Sequence, residues 1–209
     1  MKRTNNRIVT SEVIRQIMFI VLVGRILFKI LEVFMKTVED YFNQFYSEIE
    51  KYKQGIHVLN NGITEAELTD FEMRYNICLP FYYREWLKLN NGGELFATPV
   101  GTLLARIQGN EEYESGILYV ESNFNPNARW PQMPNYLFII AKECTGDAVG
   151  FDLRHTNKYD GVIIYWDHET GKVSKKWNSL AQWLDYEMEM GKNLVNYDGS
   201  ESDYFDFLK

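Results

Sequence analysis

Two successive pairs of strand-like runs, each joined by a short glycine-bearing turn, constrain this chain more than any other feature. "YLFIIA" (136–141) and "AVGFDL" (148–153) flank "KECTGD", and "GVIIYW" (161–166) and "KVSKKW" (172–177) flank "DHETG". Runs of this length, rich in β-branched and aromatic residues, predict two antiparallel hairpins, with Gly146 suited to a positive-φ turn position. Such a meander needs cover for its apolar face, and the chain has the helices to supply it.

Val38, Phe42, Phe45, Ile49 and Tyr52 recur at helical spacing and predict a first helix over 36–53, stopped by Gly55. "TEAE" is a capping box in which Thr64 and Glu67 satisfy each other's backbone N–H groups, opening a helix that carries Leu68, Phe71 and Tyr75. Pro80 suits the first turn of a third helix with Tyr83, Trp86 and Leu87 inward, and "NNGG" (90–93) reads as its left-handed C-cap. "PVGTLLARI" predicts a strand and "NFNPNARWPQMPN" an irregular loop. Ser179 with Gln182 caps a last helix, with Leu180, Trp183, Leu184 and Met188 inward and Gly191 at its end. Helices, a meander and a closing helix make an α+β arrangement, and 209 residues suffice for one sizeable core.

Residues 1–34 differ from the rest. Lys2, Arg3, Arg7, Arg15, Arg25 and Lys29 outnumber Glu12 and Glu32, a balance of +4 that leaves −11 on residues 35–209, given a net charge of −7. The uninterrupted apolar run, Ile17–Val23, is far shorter than the ~20 residues of a membrane span, and no small-residue cleavage site marks a signal peptide. Two readings stay open. Residues 1–34 form a membrane-associated helix, or translation starts at Met35. Leu31-Glu32-Val33 is encodable as TTG-GAG-GTN, which holds a ribosome-binding GGAGGT just upstream. Without a clear export signal, and with only Cys78 and Cys144, a reducing cytoplasmic location is expected.

The acidic body is a poor match for nucleic acid and a good one for a basic protein. Acidity concentrates after Asp185, where Glu187, Glu189, Asp198, Glu201, Asp203 and Asp206 face few cations, a pattern read as solvated surface. Asp167, His168 and Glu169 are consecutive in a turn and point different ways, so no metal site is expected. Cys144 lacks a nucleophile-elbow context. No phosphate loop is present, and "NNGG" follows a helix rather than preceding one, away from the anion-attracting end. Asp147 and Asp152 straddle a hairpin and could serve as acid and base, but turn chemistry explains Asp147 equally well. Neither an enzymatic activity nor a cofactor is expected.

The order of motifs resembles the SUKH superfamily, the Smi/Knr group. "ITEAELTDFEMRYNICLPFYYREWLKLNNGGEL" is similar to its opening motif through Glu67, Leu79, Pro80, Tyr83, Asn91, Gly92 and Gly93. The later segment is similar through Gly146, Asp147, Asp152, Trp166, His168, Ser179 and Trp183. The resemblance implies an α+β fold with a curved, mostly antiparallel sheet packed with helices. It places a single domain at 35–191, between an N-terminal extension (1–34) and an acidic, aromatic tail (192–209). For function it implies an immunity protein that neutralises a cognate polymorphic toxin, of a basic, nuclease type; direct nucleic-acid contact is not expected, and membrane contact is expected only if residues 1–34 are translated. The alternative it carries is a non-catalytic regulatory scaffold of cell-envelope or signalling proteins. On the immunity reading, Asp147, Asp152, Asp160, Asp167 and Glu169 at the hairpin ends, with Trp130 and Tyr159 nearby, are the expected partner-binding residues.

Overall fold

The four runs between residues 137 and 177 pair as a continuous antiparallel meander. β4 (Leu137–Glu143), β5 (Ala148–Thr156), β6 (Gly161–Asp167) and β7 (Lys172–Trp177) follow one another in space as in sequence. A computed structural model describes residues 5–97, 101–107 and 118–203. Three earlier strands extend the sheet: β1 (Val58–Asn61), β2 (Asn90–Leu95) and β3 (Thr102–Leu104), giving seven strands in the order β1 to β7. Every neighbouring pair is antiparallel. Register shifts interrupt four of the six ladders, and such bulges bend strands and curve a sheet.

The chain divides into two compact units, Met1–Phe42 and Asn43–Lys209. The first helix, α1, is assigned over Asn5–Ile49, so it starts far earlier and ends sooner than the expected 36–53. Among the described residues, no helix is long and apolar enough to cross a membrane.

Within the second unit, α2 (Glu65–Tyr75) starts at the capping box expected from "TEAE". It ends at Asn76 in the left-handed conformation. Glu72 then ties three pieces together. Its carboxylate accepts the Leu79 N–H at 2.7 Å and pairs with Arg84 of α3 (Phe81–Leu89). The free N–H groups opening α3 are taken by the β5–β6 turn, with Phe81 donating to Lys158 O and Tyr82 to Tyr159 O at 2.9 and 3.0 Å. Tyr83, Trp86 and Leu87 of α3 are buried, and the Tyr83 and Phe151 rings meet edge to face at 5.5 Å.

"NNGG" corrects one expectation. Asn90 is extended, and α3 runs directly into β2 without a left-handed cap. Gly92 and Gly93 have φ of +69° and +136°, and a Cβ would stand 2.6 Å from Leu104 O at the first and 2.2 Å from Val58 O at the second. These glycines let β2 lie tightly between β1 and β3, so they serve the sheet rather than the helix.

The last helix, α4 (Leu180–Lys192), is capped by Ser179 as expected, but it passes through Gly191. The Phe96 ring occupies the space a Cβ would need there, 2.0 Å away. Gly191 is therefore a packing residue. The segment beyond α4 folds back: Val195 is buried, and the Tyr197 hydroxyl donates to Glu48 at 2.8 Å.

Candidate functional site

Alternating strand direction puts the β4–β5 and β6–β7 turns at the same end of the sheet. Gly146 and Gly171 supply positive φ in them, +98° and +67°. Asp147 joins the two. One carboxylate oxygen accepts the Thr145 and Tyr165 hydroxyls at 2.8 and 2.6 Å. The other accepts the backbone N–H of His168 at 2.9 Å and faces its Nδ1 at 2.8 Å. Burial pushes this carboxyl up, but the combined hydrogen bonds from Tyr165, His168 and Thr145 outweigh it and hold it at about 2. The same hydrogen bond to Asp147 raises His168, with nearby Glu169 and Asp167 adding to it.

Trp130 rests against this junction, its ring centroid 5.5 Å from that of His168, and it is 49% exposed. Asp167 accepts the Thr170 N–H at 2.9 Å, which fixes the turn, and Glu169 is exposed at its tip. Trp130 thus adjoins the turn that carries Asp167 and Glu169 through His168, which Asp147 holds in place.

The remaining expected residues lie elsewhere. Asp152 is fully buried in β5, and its two oxygens take the Arg154 guanidinium at 2.8 and 2.7 Å. That pairing lowers its pKa. Arg154 in turn stacks 3.5 Å over the Tyr136 ring. The expectation of accessible hairpin carboxylates is therefore corrected for Asp147 and Asp152, because both face inward and are already hydrogen-bonded. Tyr159 and Asp160 sit in the β5–β6 turn, at the opposite end of the sheet. Tyr159 is 52% exposed with the Lys158 ammonium 4.8 Å above its ring. Asp160 accepts from Gly161 N–H and, at 3.3 Å, from Leu180 N–H at the start of α4.

Three features were not anticipated. An open apolar cavity of about 490 Å³ lies beside the Leu79-Pro80 step, walled by Phe124, Leu137, Phe138 and Leu153. The Arg129 guanidinium on its wall is engaged by the carbonyls of Pro134 and Leu137. A groove of about 380 Å³ runs along α4, with Asp185 and Glu189 beside Trp177 and Tyr186. Glu187, read as surface, is instead in the interior: it accepts the Trp183 indole N–H at 2.8 Å and the Thr102 hydroxyl at 3.1 Å. Burial, with the nearby Glu143 charge adding to it, pushes Glu187 up to about 7. Only the acidity of this stretch was visible in sequence. The cavity depends on an irregular loop that has no periodicity to read.

The Asp147–His168 pair has the orienting half of a catalytic relay. Among the described residues, no hydroxyl or thiol is hydrogen-bonded to the second ring nitrogen of His168. No cluster of three or more His, Cys, Asp or Glu side chains is placed to hold a metal among those residues.

Comparison with known proteins adds the lineage. No curated protein matches the chain. A protein from Pseudomonas syringae pv. tomato of known crystal structure is similar, with 14% identity and a TM-score of 0.44 over 68% of this chain and 92% of that one. The SMI1 / KNR4 family (SUKH-1) matches across residues 62–186, which hold both turn clusters and the buried Asp147 and Asp152. The chain belongs to the SMI1 / KNR4 family (SUKH-1).

Proposed function

We propose that this protein is a cytoplasmic immunity protein that binds and neutralises a cognate toxin bearing a basic, nuclease-type domain. The observation that carries the reading is the Trp130 patch: a half-exposed indole braced by His168, beside Asp167 and Glu169 on a turn stapled by Asp147. A rigid aromatic anchor next to carboxylates suits a partner that presents cations, since the ring supplies contact area and the charges steer approach. Residues 35–209 carry −11, which favours fast association with a basic surface and disfavours direct nucleic-acid contact. A nuclease must attract phosphates, so an acidic inhibitor addresses the property the toxin cannot lose. Asp147 and Asp152 act in this scheme from inside, as supports, and the contact is made by Trp130, Asp167 and Glu169. Tyr159 and Asp160, at the far end of the sheet, form a separate and lesser contact.

The experiment is to search the gene's neighbourhood for a toxin with a variable C-terminal domain and to co-express that domain with this protein. Growth should be rescued by this protein and lost again with Trp130→Ala combined with Glu169→Lys. Growth arrest despite soluble, stoichiometric expression of the wild-type protein would sink the proposal for that pair.

A further inference from the structure

The exposed part of α1 carries an inference independent of the toxin reading. Ile17, Met18, Phe19, Ile20, Val21, Leu22 and Val23 are consecutive, and each is between 36% and 68% exposed. Successive helical residues are turned by about 100°, so seven of them sweep the whole circumference. A helix resting on water has a polar face, and one packed on a single neighbour has an apolar stripe. This run has neither. A second copy, or a groove on another protein, would cover one side and leave the rest wet. Lipid acyl chains supply apolar surroundings on every side.

Charge and length narrow the placement. Arg15 and Arg25 bracket the run, and residues 1–34 carry +4 in a chain otherwise strongly acidic. The nine residues between the arginines rise about 14 Å, half of the roughly 30 Å hydrocarbon core. No described helix can cross a membrane. The arginine stems are long enough to bring their guanidinium groups up to headgroup phosphates while the run lies below. We propose that Ile17–Val23 embeds in one leaflet of an anionic bilayer, in its plane, with Arg15 and Arg25 engaging lipid phosphates at either end.

Flotation of the full chain with lipid vesicles tests this. The wild-type protein should rise with vesicles of phosphatidylglycerol and phosphatidylcholine, and far less with phosphatidylcholine alone. Arg15→Gln and Arg25→Gln should each lower the partition about fivefold. Phe19→Glu with Leu22→Glu should abolish flotation. All five tryptophans lie between residues 86 and 183, so their fluorescence verifies that the body of each variant is folded. Absence of flotation by the folded wild-type chain would overturn the proposal, as would flotation that survives Phe19→Glu with Leu22→Glu. A lipid-free dimer dissolved by the same double substitution, with no vesicle binding, would also overturn it and assign the run to self-association.

Discussion

Asp147 Oδ1 lies 2.8 Å from His168 Nδ1 and 2.9 Å from the His168 backbone nitrogen, so one carboxylate holds both the ring and the backbone of the neighbouring turn. The Trp130 ring leans on that same histidine. The position of the exposed indole is therefore set by a buried acid in the adjacent β4–β5 turn.

The pH dependence of this staple follows from the two shifts. Asp147 is held at about 2 against its usual 3.8, so it stabilises the fold above the unfolded value and loses that contribution as pH falls from about 4 towards 2. His168 is raised above 6.5, so its contribution is complete below that value and is lost as pH rises through the raised one. Asp147→Asn is expected to cost on the order of 2 kcal/mol at pH 6, shrinking towards zero near pH 2. Urea denaturation across that range measures it. An unchanged midpoint at pH 6 would show that the staple adds no stability.

Glu187 predicts the opposite trend. Its carboxyl is raised from 4.5 to about 7, so the fold favours the neutral acid and loses stability as pH climbs between those values. Glu187→Gln keeps an acceptor for Trp183 and removes the charge. It should match the wild type near pH 4 and exceed it by on the order of 2–3 kcal/mol at pH 8. Thermal melts at the two pH values decide, and equal melting temperatures at pH 8 would contradict the buried-carboxyl account.

Gly191 offers a test of packing. Glycine to alanine inside a helix usually stabilises by roughly 0.5–1 kcal/mol. Here the added methyl would meet Phe96, itself buried and held at a φ of +52°. Gly191→Ala is therefore expected to destabilise by about 1–3 kcal/mol. A gain in the chemical denaturation midpoint would show that Phe96 moves aside freely.

Local rules made much of the fold legible. The hairpins, the Thr64 capping box and the Ser179 cap depend on neighbouring residues, and each forms where its residues stand. The misreadings concern long-range contacts. Gly92, Gly93 and Gly191 have the spelling of helix ends, yet their role is fixed by strands and a ring far away in sequence. β1 was missed because "VLNN" is short and half polar, and it becomes a strand only by pairing with β2. At the candidate site, turn position located the acids, but burial sorted them. Asp147 and Asp152 look like Asp167 in sequence, but the distant partners Tyr165 and His168 draw Asp147 inside, and Asp152 is buried in β5, paired with Arg154 two residues on.

The most direct test of the central claim is titration calorimetry of the full chain against a toxin domain found in the gene's neighbourhood, with Trp130→Ala and the pair Asp167→Lys with Glu169→Lys as variants. The wild type should bind one to one. Trp130→Ala should weaken the Kd at least tenfold, about 1.4 kcal/mol, and the charge-reversed pair should lose still more at low salt. Tight binding that is unchanged in both folded variants would contradict the placement of the partner at the Trp130 patch, and no binding by the wild type would contradict the immunity function for that toxin.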